Sequence, residues 1–87
     1  MSFPFEARFT SEFIRDLERL DASVRQRILR AVREKLLRDP YGHSKKLVGI
    51  EPPGVCRFRV GDYRVRFDVD DRILILRRVA HRREIYE

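Results

Sequence analysis

The chain has 87 residues, 43% hydrophobic and 39% charged, with 20 Lys and Arg against 14 Asp and Glu. That length fits one domain over residues 1–87, and a net charge of +6 with a pI near 10.2 suits an anionic partner such as nucleic acid. One cysteine, Cys56, excludes a disulfide framework and fits a reducing cytoplasm, and no run approaches the ~20 apolar residues of a membrane span.

Residues 1–9 read as an opening strand with Phe3, Phe5, Ala7 and Phe9 on one face. Pro4 lacks an amide donor, which suits an edge position. Thr10 or Ser11 caps a helix that runs to Leu20, with Phe13, Ile14, Leu17 and Leu20 as its apolar stripe. Asp21 or Ser23 opens a second helix, and Ser23 to Gln26 fits a capping box. Val24, Ile28, Ala31, Val32 and Leu36 recur at helical spacing until Asp39-Pro40-Tyr41-Gly42 ends the run. The short joint predicts an antiparallel helix hairpin. Its outer side is rich in arginine, either as a solvated face or as a docking surface. Residues 41–54 carry Gly42, Gly49, Pro52, Pro53 and Gly54 and read as an irregular connection.

The strongest local signal follows. Val55 to Phe67 is two short strands joined by Gly61-Asp62, a pair able to supply the positive φ of a tight primed turn. That turn sets Val60 against Tyr63, Arg59 against Arg64, Phe58 against Val65, Arg57 against Arg66 and Cys56 against Phe67. One face is apolar; the other carries Arg57, Arg59, Arg64 and Arg66. Like charges opposed across a sheet are destabilising, so their clustering points to an anion, and guanidinium forks match phosphate oxygens. A last strand spans Arg72 to Ala80, and the unbroken apolar run Ile73 to Leu76 marks it as interior. The turn before it leaves open whether Arg77 or Arg78 joins the arginine face. The expected fold is α+β, in the order β-α-α-β-β-β: a mostly antiparallel sheet with the helix hairpin packed on one face.

His43, His81 and Cys56 lack metal-ligand spacing, so neither metal nor cofactor is expected. The residues that can do chemistry are the arginines with His81, Arg82 and Tyr86. That set suits RNA strand cleavage. Arginines stabilise charge on a phosphorane-like state, a phenol of pKa about 10 is pushed towards phenolate by nearby cations, and an imidazole can carry a proton at neutral pH. Alternatives stay open at this point: Tyr86 as a packing residue, His81 as a structural one, and the face as a plain docking surface.

Three segments together resemble the RelE/ParE toxin superfamily, and its RelE-type branch in particular: Leu47-Val48-Gly49, Cys56 to Val65 with Gly61-Asp62-Tyr63-Arg64, and Val79 to Tyr86 with His81-Arg82. The resemblance implies the toxin of a type II toxin–antitoxin system. It implies a metal-independent endoribonuclease that cuts mRNA in the ribosomal A site, in contact with rRNA, by attack of the 2′-hydroxyl on the adjacent phosphate. It also implies a cytoplasmic setting and an acidic, RelB-like antitoxin. The family's catalytic positions fall on Arg57, Arg59, Arg64, Arg82 and Tyr86, with His81 a further candidate. Lys45, Lys46, Arg66, Arg77 and Arg83 are the candidate RNA contacts. The chain carries Arg57 and Arg59 where members often carry lysine. ParE-type relatives, which inhibit DNA gyrase without catalysis, and a simple RNA- or ribosome-binding module are the alternative readings.

Overall fold

The computed structural model describes residues 5–42, 44–46 and 56–84. In chain order it contains β1 (Glu6–Phe9), α1 (Ser11–Glu18), α2 (Ala22–Ala31), a π-helical turn (Val32–Leu36), β2 (Ser44–Lys46), β3 (Cys56–Val60), β4 (Tyr63–Asp70) and β5 (Ile73–His81). The strands form one five-stranded sheet in the order β1-β5-β4-β3-β2. β1 runs parallel to β5, and the other pairs are antiparallel. This is the expected α+β architecture, with β1 at one edge and β5 inside the sheet.

The β3–β4 hairpin has the register that alternation and Gly61-Asp62 predict, from Val60↔Tyr63 through Cys56↔Phe67. Gly61 has φ +57°, while Asp62 does not enter the positive region. Glycine at the first central position alone is the II′ pattern, whose twist matches that of the flanking strands. The next hairpin turns at Asp71, also at φ +57°, with Asp70 opposite Ile73. The last strand thus begins one residue later than expected.

The helices cover one face of the sheet. Phe13, Leu17, Ile28, Val32, Leu36 and Leu37 pack with Phe58, Val60, Val65, Phe67, Leu74, Leu76 and Val79 into a single buried cluster. Every strand residue in that set lies at an inward position of the alternation. Thr10 caps α1: its Oγ1 accepts from the Phe13 amide at 3.1 Å and donates to Leu76 O and Arg77 O, tying the helix start to β5.

Three local expectations change. α2 is capped at Asp21 without a side-chain bond, so Ser23 lies inside the helix and the Ser23–Gln26 capping box does not form. The helix then widens, with the Leu37 amide bonding to Val32 O, an i→i+5 closure. Finally, residues 44–46, expected in an irregular connection, pair with β3 as an edge strand. Ser-Lys-Lys has no alternating signal of its own, and the exposed ladder of β3 supplies the template.

Candidate nucleic-acid interface

The face opposite the helices is built by cross-strand register. Arg57 stands opposite Arg66, and Arg66 opposite Arg78. In the adjacent row Arg59 stands opposite Arg64, and Arg64 opposite Ala80. Paired residues share a face, so Arg57, Arg59, Arg64, Arg66 and Arg78 lie together on one surface. The register also sets Lys45 beside Arg57 and Lys46 beside Cys56.

The arginines differ in what holds them. Arg59 is exposed, and Arg57 and Arg66 are half-buried. Arg64 is only 5% exposed. Its Nη1 donates to Gly61 O and Tyr63 O, both at 3.1 Å. Arg64 thus sits on the expected face, but its guanidinium folds back to brace the hairpin turn. Arg82 meets the same turn, with its amide donating to Asp62 O at 2.7 Å and its Nε lying 3.8 Å from Asp62 Oδ1. Arg27 reaches the turn from α2: a methyl group on Gly61 would stand 3.2 Å from its Nη2.

His81 does not join the cluster. It pairs with Tyr63 on the apolar side of the alternation, and the two rings meet edge-on with centroids 5.4 Å apart. Its Nδ1 accepts from the Arg83 amide at 3.2 Å, which leaves Nε2 as the protonated nitrogen of the neutral ring. Arg83 itself is exposed beyond the strand end. Tyr86 lies outside the described residues.

A bulge in β5 decides between Arg77 and Arg78. The register shifts between Arg66 and Phe67, so Arg77 is the extra residue and Arg78 takes the place opposite Arg66. Arg77 is held by Asp68, Nε to Oδ2 at 2.7 Å. That ion pair offsets part of its charge.

Residues 7–86 match the family described as "ParE toxin of type II toxin-antitoxin system, parDE". The chain belongs to the RelE/ParE toxin family. Toxin RelE3 of Methanocaldococcus jannaschii is 34% identical over 83 residues, covering 91% of this chain and 92% of that protein. Among solved structures, the toxin–antitoxin complex RelBE2 from Mycobacterium tuberculosis superposes with a TM-score of 0.81 at 30% identity, over 90% of this toxin and 98% of that chain. The RelB–RelE complex from Methanococcus jannaschii gives 0.67 at 30% identity, over 90% and 93%.

One residue of this toxin escapes sequence reasoning, Asp16, and its partner is Arg78, which the sequence left open against Arg77. The Asp16 side chain, on α1, is buried. Its Oδ2 accepts from Arg78 Nε at 2.8 Å and from the Val79 amide at 3.0 Å, and its Oδ1 accepts from Arg78 Nη2 at 3.2 Å. The hydrogen bond that Arg78 donates to Asp16, then the charge of that carboxylate, raises the Arg78 pKa above the ordinary guanidinium value. The sequence places Asp16 on the solvated side of α1 with Arg15, Glu18 and Arg19, whereas the structure buries it against β5. Among the described residues, no helix of the toxin is long and apolar enough to cross a membrane.

Proposed function

We propose that this toxin is a ribosome-dependent, metal-independent mRNA endonuclease of the RelE type, acting in the cytoplasm. The observation that carries this reading is the cross-strand row of arginines, Arg57 and Arg59 above all, on the face left open by the helices. The 2′-oxygen attacks the adjacent phosphorus, and the bond from phosphorus to the 5′-oxygen breaks. The departing 5′-oxygen takes a proton from solvent water, and the products are a cyclic phosphate and a 5′-hydroxyl. Arg57 and Arg59 hold the non-bridging oxygens as charge builds there. A guanidinium stabilises that charge without giving up its proton. Arg64 and Arg82 act through the turn: both bond to its backbone carbonyls and add positive potential beside the scissile group. Tyr86 is assigned to receive the 2′-hydroxyl proton, since a phenol is acidified wherever cations lie near it. His81 has no part in this scheme, because its register faces it towards Tyr63.

The partner that restrains the toxin is an acidic, RelB-like antitoxin whose segment folds on binding. Solved relatives are complexes with RelB, which supports this. A second reading has its own observation, since the matching family is described by ParE. In that reading the toxin inhibits DNA gyrase without cutting RNA.

One pair of assays separates the two. A programmed ribosomal complex treated with toxin yields mRNA fragments ending in a cyclic phosphate and a 5′-hydroxyl, and Tyr86→Phe abolishes them with the fold intact. Inhibited supercoiling with uncut mRNA selects the gyrase reading instead.

A further inference from the structure

At the β5 end of the arginine rows, where α1 meets the sheet, lies a cleft of about 570 Å³, lined by Asp16, Arg19, Arg66, Arg78, Ala80 and Glu84 among others. Its size lies within the range of small-ligand sites. The opening follows from the sequence. In the row Arg59–Arg64–Ala80 the third position has only a methyl group, and Ala80 lines the cleft. The bulge at Arg77 then puts Arg78, in place of a core residue, at the end of the row Arg57–Arg66–Arg78. Strands in a sheet lie about 4.8 Å apart, so this row carries guanidinium groups across roughly 10 Å of surface.

Asp16 is placed to aim one of those groups. Its side-on grip uses Arg78 Nε and Nη2 and leaves the donors of Nη1. A third bond, from the Val79 amide, locks the carboxylate to β5. The Arg78 side chain remains 55% exposed at the rim. A fixed guanidinium with donors to spare, beside two further arginines, matches an anionic oxygen better than an apolar side chain.

We infer that this cleft is a second phosphate subsite, taking RNA backbone adjoining the nucleotide held at Arg57 and Arg59, and that Asp16 is the positioning residue that fixes Arg78 within it. The inference rests on the ribonuclease reading for its ligand, yet it is tested by binding alone. The probe is a short single-stranded RNA blocked by 2′-O-methyl groups, titrated into the intact toxin at several salt concentrations with the backbone amides followed by NMR. The Val79 and Ala80 amides shift on binding. Arg78→Ala weakens binding by about tenfold and reduces the slope of log affinity against log salt by about 0.7, the loss of one phosphate contact on a single strand. Arg78→Lys restores the slope but not the full affinity, because an ammonium lacks the Nε that Asp16 grips. Ala80→Leu, which fills the cleft without changing charge, also weakens binding and keeps the subsite falsifiable if Arg78→Ala folds poorly.

RNA binding with unmoved Val79 and Ala80 signals, or with affinity and slope unchanged in both Arg78→Ala and Ala80→Leu, overturns the subsite while the ribonuclease reading stands. RNA held in the cleft by a toxin that leaves programmed mRNA uncut supports the subsite and overturns that reading. An acidic peptide that moves these amides where RNA does not overturns the subsite.

Discussion

Single residues decide how the arginine face is held. Gly61 sits at φ +57° beside Arg27, where an L side chain costs about 1–2 kcal/mol. Gly61→Ala therefore lowers thermal stability by about 4–8 °C for each kcal/mol lost, as calorimetry will register. Asp16 is the other point of leverage. Removing it strands the Val79 amide in a buried position, so Asp16→Ala costs about 1–3 kcal/mol in denaturant melts. The face of each hairpin arginine was legible beforehand, because alternation and a tight turn determine it. The burial of Arg64 was not, since it depends on Nη1 folding back onto two carbonyls of its own turn. Nor was the pairing of Arg78 with Asp16, which lie 62 positions apart.

At the scale of elements, the start of α1 is where helix and sheet are joined. Thr10 serves both as N-cap and as donor to β5, so Thr10→Ala costs about 1–2 kcal/mol by equilibrium unfolding. The same turn carries Glu12, whose carboxyl is held below its usual value by its own backbone amide first and the Ser11 hydroxyl second. A lowered folded-state pKa contributes stability that is complete above the unfolded value and is lost as pH falls through the folded one. Stability measured against pH consequently declines through that acidic window, and Glu12→Gln flattens the decline. The helices and the hairpin were legible because each has a period of its own. β2 and the bulge in β5 were not. The first borrows its conformation from the β3 ladder, and the second is a mismatch between two strands that neither strand records.

Across the whole molecule, the surplus of positive charge does not stabilise the fold. Residues 43–87 hold 11 Lys and Arg against 7 Asp and Glu, and arginines face one another across β3, β4 and β5. Like charges in such pairs oppose folding by a few tenths of a kcal/mol each. Arg59→Ala should thus raise the melting temperature slightly at low salt, with the gain shrinking as salt screens the pair. A substitution that stabilises the fold while disabling the protein is what a charged site predicts. The decisive measurement is the single-turnover cleavage rate of mRNA in a programmed ribosomal complex, for the wild type and for Arg57→Ala/Arg59→Ala. The account predicts cleavage by the wild type and a loss of at least about 10²-fold in the variant, with unfolding temperature unchanged or raised. Cleavage by the folded variant at the wild-type rate, or none by the wild type, would contradict it.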